Sequence, residues 1–424
     1  MSPHNHRDRD RDSGRRETTR IALLIGSLEQ GGAQSMMLRI FDGLQRLGYD
    51  VYLLTLDGTT EVPLYGDRKR AEELSRRVIH LSTYNVKRST LRKLFTVPLQ
   101  WYTLERTLRR LQCMQVVSFM DRANIFNLVT LVDVRRIISI RKHFSTGMRT
   151  KSRLKRGLIK LVYPIILRRA EGINFNANQS AEDFCSLFSI DHDKISVIYN
   201  YCDHELIARL ARASIPESYQ KIFENPVVIT SGRLLGVKGH AYLIRAFKTL
   251  KDAGDKHTQL VILGEGPLRK ELQRLARELA IEDAVHFPGY QSNPYPWLAK
   301  SELFVLPSLT EGFPNALLEA MALGVPAISA DCPSGPRELL AEDELPLKQP
   351  LENVYYAPYG VLIPRLDREA GDTAPEQDLS TTIMELLNND TLRSHYQEAA
   401  YNRASHFSED RCLHEWKKLF EKMR

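Results

Sequence analysis

The chain has 424 residues, of which 43% are hydrophobic and 26% are charged, and its formal net charge is +7 at pH 7. A chain of this length is too long for one ordinary hydrophobic core, so its composition predicts a globular protein with two domains. No segment approaches the run of about 20 apolar residues that a membrane-crossing helix requires. The five cysteines are scattered and include no CxxC pair, which argues against a disulfide framework or a zinc site and favours a reducing cytosol.

Residues 1–19 are charged and lack the apolar core of a secretory signal, so we expect them to form a disordered arm. The apolar run at 20–28 predicts a first buried strand, and an amphipathic helix is expected at 34–47. Gly31 and Gly32 lie between the two, where the backbone turns tightly. A glycine pair is a weak signal for phosphate binding, and the GxGxxG spacing is missing, so a dinucleotide-dependent dehydrogenase is rejected.

Short apolar runs alternate with helical stretches up to residue 205. This alternation predicts an α/β domain at 20–205 with a doubly wound parallel sheet, whose ligands belong at the carboxyl ends of its strands. The further strands are expected at 51–56, 78–81, 116–120, 137–140, 173–176 and 195–199, with a long helix at 91–111.

Asp121 follows the strand expected at 116–120, at a position where a residue facing a cleft belongs. Its carboxylate could orient an acceptor hydroxyl or take its proton, and it could equally cap the helix that follows. Of the polar residues at this strand end, we prefer Asp121 over Arg122 and Asn124 for a catalytic role.

Residues 135–170 include twelve lysines and arginines and no acidic residue. Nucleic acid is not the expected partner, because stacking aromatics are sparse here and no nucleic-acid-binding motif accompanies the charge. The basic residues flank an apolar stretch at 158–167, a pattern typical of a helix that lies on an anionic membrane surface. A solvated basic helix with one stripe facing the core explains the same pattern equally well.

Residues 206–225 carry no strand pattern and are interpreted as a linker to a second domain at 226–390. The alternation of strands and helices resumes there, which predicts a second doubly wound domain. Its strands are expected at 227–231, 259–263, 285–287, 303–306 and 325–330, with helices at 241–250 and 268–280, and the last segment, 391–424, is predicted to be helical.

Arg233 and Lys238 lie in a glycine-containing loop after the first strand of the second domain. Such a loop allows both cations to converge on one diphosphate, which the guanidinium grips as a fork and the ammonium as a point charge. Two fixed positive groups would stabilise the negative charge on a leaving nucleoside diphosphate. The alternative is two ordinary surface cations.

The strand at 303–306 leads through a loop into a helix for which Asn315 is the expected N-cap. The unpaired amides of its first turn, from Phe313 through Asn315 to Ala316, suit a phosphate or a sugar hydroxyl.

Glu311 and Glu319 are expected to project into the space next to these amides. A carboxylate next to a diphosphate would be repelled by it, so hydroxyls of a ribose or a hexose are the more plausible partners. The alternative is a pair of glutamates on a solvated helix face.

The segment EGFPNALLEA, residues 311–320, resembles the signature of two glutamates separated by seven residues that belongs to retaining, nucleotide-sugar-dependent glycosyltransferases of family 4. The following DCPSGPRELL is similar to a subgroup that builds bacterial lipopolysaccharide cores, capsules and lipid-linked oligosaccharides. The resemblance covers nearly the whole chain after residue 20. It implies the GT-B fold, in which two Rossmann-like domains face each other across a cleft and C-terminal helices cross back to the first domain.

The resemblance also implies roles for single residues. Gly31 and Gly32 match an element that lies against the donor sugar and phosphate, and Arg233 and Lys238 match the phosphate clamp of the family. Tyr290 is expected near the edge of the base pocket, where it could stack on uracil or serve as a core aromatic. Many relatives have a histidine near the position of Asp121, and this chain does not.

We therefore expect a retaining hexosyltransferase that uses a nucleotide sugar, with UDP favoured by family habit, and neither a metal nor a cofactor. The expected acceptor is a hydroxyl of a lipid-linked or lipopolysaccharide glycan, reached from the cytoplasmic side of the inner membrane. Two alternatives remain open at this point: a nucleotide-sugar epimerase or hydrolase of the same fold, and a catalytically silent interaction protein.

Overall fold

The computed structural model describes residues 19–29, 31–58, 68–82, 90–342, 344–346, 349–367 and 373–423. The charged arm expected at 1–19 therefore lies outside the described residues, except for Thr19. Within the described part, the chain forms two parallel α/β domains, each with a seven-stranded sheet.

The first sheet is parallel throughout, with strand order β3-β2-β1-β4-β5-β6-β7. The order reverses direction at β1 and β4, which is the doubly wound arrangement that the alternating pattern predicts. Its strands are β1 Arg20–Ile25, β2 Asp50–Thr55, β3 Val78–His80, β4 Gln115–Phe119, β5 Arg135–Ile140, β6 Gly172–Phe175 and β7 Ile195–Val197.

The helices of the first domain connect these parallel strands, because a parallel pair requires a long crossover. They are α1 Gly32–Arg46, α2 Arg68–Ser75, α3 Thr90–Leu111, α4 Asp121–Val129, α5 Phe144–Arg149, α6 Arg153–Leu167 and α7 Asn178–Leu187. The expected strands and helices are present, with ends that differ by a few residues.

Residues 206–225 include most of α8 His204–Leu210, together with α9 Glu217–Gln220 and the 3-10 helix Lys221–Glu224. Ile207, Ile215 and Ile222 from this region are buried in the core of the second domain, together with Trp297. This segment is therefore packed into the second domain and is more than an extended connection.

The second sheet has strand order β10-β9-β8-β11-β12-β14-β13, and all its pairs are parallel except β13 with β14. The pair β13 and β14 has no counterpart among the predicted strands. The strands are β8 Val227–Ser231, β9 Gln259–Leu263, β10 Val285–Gly289, β11 Leu303–Leu306, β12 Ala327–Ala330, β13 Tyr355–Ala357 and β14 Gly360–Ile363. The helices that follow α9 are α10 His240–Asp252, α11 Arg269–Glu278, α12 Tyr295–Ala299, α13 Asn315–Ala322, α14 Pro336–Leu340, α15 Ala374–Asn388, α16 Asp390–Ser405 and α17 Glu409–Lys422.

The last helix, α17, returns to the first domain. Leu413, Trp416 and Phe420 are buried there in the same core as Phe41 of α1, and the Trp416 ring stacks on Phe119 with 6.1 Å between the ring centroids. The chain thus crosses between the domains twice, and the backbone amide of Cys202 in one crossing donates to the carbonyl of Phe407 in the other at 3.0 Å. These two crossing segments are bonded to each other and connect the two domains.

Candidate functional site

The carboxyl ends of the two sheets face each other and touch through two loops. The amide of His143, after β5, donates to the carbonyl oxygen of Glu311, after β11, at 3.3 Å. A Cβ atom at Gly312 would collide with the carbonyl group of Arg141, so only glycine permits this approach of the two backbones. The loop that carries Glu311 is therefore a point of direct contact between the domains.

Lys238 and Glu311 form an ion pair at this edge, with Nζ and Oε1 2.6 Å apart. The hydroxyl of Ser308 donates to the same carboxylate oxygen at 2.6 Å, and only 10% of the Glu311 side chain is exposed. Gly239 has φ of 68° and lies against the carbonyl of Pro307, which fixes the loop of Lys238 on the end of β11. The structure thus joins a cation and a carboxylate that are 73 residues apart.

Arg233 lies close to Lys238 along the backbone but is exposed. The side chain of Lys238 passes Gly232, within 4 Å of where a Cβ atom would be. Within the part of the chain that the structure describes, the Arg233 guanidinium makes no hydrogen bond or ion pair. Gly264, with φ of 131°, and Gly266 pack against the backbone of the Arg233 loop, so they fix its shape without contributing side chains. Arg233 therefore has its donor groups available for a ligand.

Glu319 forms its ion pair with the other domain, whereas Lys238 pairs with Glu311. Its carboxylate pairs with Arg39 of α1 at 3.2 Å and accepts a hydrogen bond from the hydroxyl of Tyr295 at 3.4 Å. Burial raises the pKa of Glu319 above its usual range, and the positive charge of Arg39 opposes that shift. Sequence reasoning missed Arg39, although it lies seven residues after Gly32 and so two turns along the same helix face.

Asn315 does not cap α13, in contrast to the prediction. The helix begins at Asn315 itself, the N-cap position belongs to Pro314, and no side-chain capping bond is formed there. The side-chain amide of Asn315 is instead engaged by two other groups: it accepts from Asn200 Nδ2 at 2.6 Å and donates to the carbonyl of Gly32 at 3.3 Å. Asn315 therefore links α13 to the glycine pair across the cleft.

Phe313 and Ala316 flank this contact in different ways. The Phe313 ring is buried between Tyr199 and Phe407, with 5.6 Å between centroids in each case, so any contact of Phe313 with a ligand is through its backbone. Ala316 is half-buried in the first turn of α13. Gly31 precedes α1, and the side chain of Gln34 in that helix lies where a Cβ atom of residue 31 would be. Gln34 therefore packs directly against the glycine pair.

Asp121 is the first residue of α4 and is directed to a lysine. Its carboxylate lies 2.5 Å from Lys142 Nζ, and the N-cap position is Met120, with no side-chain capping bond. Met120 has φ of 72°, a left-handed conformation that is strained in a non-glycine residue. Asp121 therefore does not cap α4 through its side chain, which was one of its two expected roles.

The two neighbours of Asp121 are already engaged by the first domain. Arg122 donates to Asp57 at 2.7 Å and to Gln100 at 2.6 Å. Asn124 is fully buried, accepts from the hydroxyl of Ser118 and donates to a backbone carbonyl. Both are held in place by bonds within the first domain. Asp121 is paired as well, with Lys142, but 43% of its side chain is exposed, and its catalytic role stays a prediction.

Tyr290 follows β10 and has 41% of its surface exposed, so the alternative of a core aromatic does not hold. Among the described residues no group of three or more His, Cys, Asp and Glu side chains is placed to hold a metal ion. That the chain works without a metal stays a prediction.

Sequence models of two glycosyltransferase families match the chain, one in each domain. The model described as Glycosyltransferase Family 4 matches residues 30–206, and the model described as Glycosyl transferases group 1 matches residues 212–403. The chain is a glycosyltransferase, with a family 4 domain followed by a group 1 domain.

This glycosyltransferase is similar to bacterial transferases whose names describe a diphospho-undecaprenol-linked glycan or a lipopolysaccharide. It is 28% identical over 395 residues to the N-acetylgalactosamine-N,N'-diacetylbacillosaminyl-diphospho-undecaprenol 4-alpha-N-acetylgalactosaminyltransferase of Campylobacter jejuni, over 92% of this chain and 95% of that one. It is 32% identical over 183 residues to the lipopolysaccharide 1,6-galactosyltransferase of Escherichia coli, over 37% of this chain and 50% of that one.

The fold of the glycosyltransferase is GT-B. The structure of Anabaena HepE in complex with UDP and glucose superimposes with a TM-score of 0.70 at 18% sequence identity, over 95% of this chain and 99% of that one. The two facing Rossmann-like domains expected from the sequence are thus confirmed.

Helix α6 of the glycosyltransferase presents an apolar face to solvent. Tyr163 and Leu167 on its inner face are buried with Phe144 in one core cluster. Its outer face exposes Leu154, Leu158, Leu161, Val162 and Ile165, with exposures from 40% to 84%. In the part of the chain that the structure describes, no helix is long and apolar enough to cross a bilayer. Helix α6 thus lies at the surface with an exposed apolar stripe. It differs from a solvated basic helix, whose only apolar stripe would face the core.

Proposed function

We propose that this protein is a retaining, metal-independent hexosyltransferase. It moves a hexose or an N-acetylhexosamine from a UDP-linked donor to a hydroxyl of a lipid-linked or lipopolysaccharide glycan. The observation that carries the proposal is the Lys238 and Glu311 pair, held 2.6 Å apart at the edge where the two domains touch. Support for UDP comes from Anabaena HepE, which was crystallised with UDP and glucose.

Lys238 and Arg233 would bind the diphosphate of the donor. Lys238 has Glu311 as its counter-ion, so a diphosphate that approaches Lys238 competes with that carboxylate and draws the ammonium toward itself. The exposed Arg233 adds a fork-shaped donor to the same group. As the bond between sugar and phosphate breaks, both cations stabilise the negative charge on the leaving nucleotide.

Glu311, once released from Lys238, can accept hydrogen bonds from sugar hydroxyls. The amides of residues 313, 315 and 316 at the start of α13, together with Gly31 and Gly32 opposite, would line the remaining groove. Glu319 would accept hydroxyls of the donor only after Arg39 yields part of its contact. The exposed ring of Tyr290 would stack on the base.

Asp121 is proposed to act on the acceptor side. Its carboxylate, held by Lys142, would orient the acceptor hydroxyl that attacks the sugar. Support for a lipid-linked acceptor comes from the Campylobacter relative, whose name describes transfer to a diphospho-undecaprenol glycan.

The apolar face of α6 is proposed to lie on an anionic membrane surface, on the cytoplasmic side where nucleotide sugars are made. Leucines on one face with lysines and arginines beside them are the composition of an interfacial helix. Helix α6 also packs on α4, whose first residue is Asp121, so the membrane and the acceptor site would be reached from the same side.

Thermal melting and calorimetry with UDP, uridine and a panel of UDP-sugars test the proposed donor. A ligand that binds only the folded protein adds about 2.7 kcal/mol to the free energy of unfolding at a hundredfold excess over Kd, and so raises the melting temperature. UDP and one or more UDP-sugars should bind, and uridine, which lacks the diphosphate, should bind at least tenfold more weakly. Equal binding of UDP and uridine, or no binding of either, would contradict the proposal.

A further inference from the structure

We propose that Arg141 and Asn200 are positioning residues that hold the two walls of the donor groove together. They act through a chain of hydrogen bonds that runs from Arg141 through Asn200 and Asn315 to the carbonyl of Gly32. We call these four residues the cleft relay. The inference deepens the proposed function, because Gly32 and Asn315 belong to the donor groove described above.

The distances define the cleft relay. Arg141 Nη1 donates to Asn200 Oδ1 at 2.7 Å, and Asn200 Nδ2 donates to Asn315 Oδ1 at 2.6 Å. Asn315 Nδ2 then donates to the carbonyl of Gly32 at 3.3 Å. Arg141 and Asn200 follow β5 and β7 of the first domain, Asn315 begins α13 of the second, and Gly32 begins α1 of the first.

Arg141 fixes the direction of the bonds in the cleft relay from its first-domain end. A guanidinium has only donor groups, so the atom of Asn200 that faces it must be the oxygen. The nitrogen of Asn200 then points to Asn315, which must present its own oxygen and is left with its nitrogen toward Gly32. Arg141, which can only donate, and the carbonyl of Gly32, which can only accept, thus fix the orientation of both amides from opposite ends.

The surroundings of the cleft relay fit a positioning role. Asn200 is 4% exposed, and the Arg141 guanidinium is buried over the ring of Phe119, 4.0 Å from its centroid. Nε and Nη2 of Arg141 have no hydrogen-bond partner among the described residues, and burial lowers its pKa to about 9. Burying a guanidinium with two unpaired nitrogens lowers the folding stability of the protein. A leucine or a phenylalanine would fill the same space, but neither would orient Asn200.

Asn200 also lies next to the first crossing between the domains. Two residues later the amide of Cys202 bonds to Phe407 of the returning chain. The cleft relay therefore connects this crossing to the groove, and weakening it should loosen the groove without unfolding either domain.

Asn200→Asp gives the sharpest test. The carboxylate keeps its bond to Arg141 and supplies the missing counter-ion, so the melting temperature should hold or rise. The same carboxylate can no longer donate to Asn315, so one of the two contacts of Asn315, with residue 200 or with the carbonyl of Gly32, must bring two acceptors together. Hydrogen exchange of residues 31–36 and 312–317 should accelerate by roughly three- to tenfold, the net worth of one hydrogen bond.

Kinetics add a readout that a merely structural role would not move. In Asn200→Asp the KM for the nucleotide sugar should rise by roughly three- to tenfold, while kcat and the KM for the acceptor change by less than twofold. Asn315→Asp, which also loses the donor to Gly32, should reproduce both the exchange and the KM effects.

Asn174→Asp is the matched control. Asn174 is a fully buried asparagine of β6, bonded to Ser139 and Ser196 and outside the cleft relay. Its replacement should lower the melting temperature and leave exchange at 31–36 and donor KM at the wild-type values.

Two outcomes separate this inference from the proposed function. Unchanged exchange at both groove segments in Asn200→Asp and Asn315→Asp would overturn the cleft relay, whatever the protein transfers. Faster exchange in both variants, in a protein that binds no nucleotide sugar, would support the cleft relay and overturn the proposed function.

Discussion

Replacing Lys238 by alanine should remove a cation that the proposed reaction needs in its transition state. Its ammonium lies 2.6 Å from Glu311, and 24% of the lysine side chain is exposed, so this charge acts in a partly desolvated place. Loss of one preorganised charge of this kind typically costs about 2.7–4 kcal/mol. We therefore expect kcat/KM for the donor to fall by about 10²–10³.

The same variant leaves Glu311 without its cation while only 10% of its side chain is exposed. An unpaired, largely buried acceptor costs about 1–3 kcal/mol of folding stability. Lys238→Ala with Glu311→Gln removes that unpaired charge, so the melting temperature should recover in the double variant while activity stays low.

The assay is release of UDP with excess acceptor, run beside thermal melts of the same variants. Lys248→Ala serves as the matched control, because Lys248 pairs with Asp252 on an exposed face of α10 in the same domain. A surface pair contributes at most about 1 kcal/mol, and neither kinetics nor melting should change much. If Lys238→Ala turned over like wild type, or if activity recovered together with stability in the double variant, Lys238 would not contact the leaving group.

Three further predictions address other parts of the chain. Glu319→Gln should become more stable relative to wild type as pH rises from about 4 to 7. The raised pKa of Glu319 means that the wild type loses folding stability when this buried carboxyl ionises, and glutamine does not ionise. A difference in melting temperature that is independent of pH would contradict this. Leu158→Glu should reduce sedimentation with liposomes that contain anionic lipid, at low salt, whereas Leu99→Glu, at a leucine of similar exposure on α3, should not; failure of the wild type to sediment would exclude the membrane role of α6. Trp416→Ala should cost about 3–5 kcal/mol of stability through loss of a buried ring that joins α17 to the first domain, and His414→Ala on the exposed face of α17 should cost little; equal melting temperatures would show that α17 does not contribute to that core.

The strands were predictable because a buried parallel strand leaves a short run of apolar residues with no polar alternation, as at Leu303–Leu306 and Val227–Ser231. The pair β13 and β14 was not predicted. Strand β13 is only partly buried and so lacks the apolar run of a central strand, whereas β14 is a buried apolar run as long as β11 that was overlooked. Residues 206–225 lack any strand pattern, yet their isoleucines pack into the second domain, which a one-dimensional pattern does not reveal.

Loop motifs singled out Lys238 and Glu311, which the structure pairs although they are 73 residues apart, and their role at a donor stays a prediction. Contacts that depend on how the two domains meet were not predictable. Arg39 pairs with Glu319, and Asn200 reaches Asn315, only because the two domains are placed face to face. The position of Asn315 before an apolar helix predicted a helix cap, but its side chain bonds to Gly32 of the other domain instead.

The most direct test of glycosyl transfer is analysis of the products formed from a UDP-sugar and a lipid-linked glycan acceptor. The proposal predicts that each UDP released is matched by one glycosylated acceptor, with the anomeric configuration of the donor retained. Release of UDP with free sugar only, conversion of the donor to an altered sugar, or an inverted linkage would contradict it.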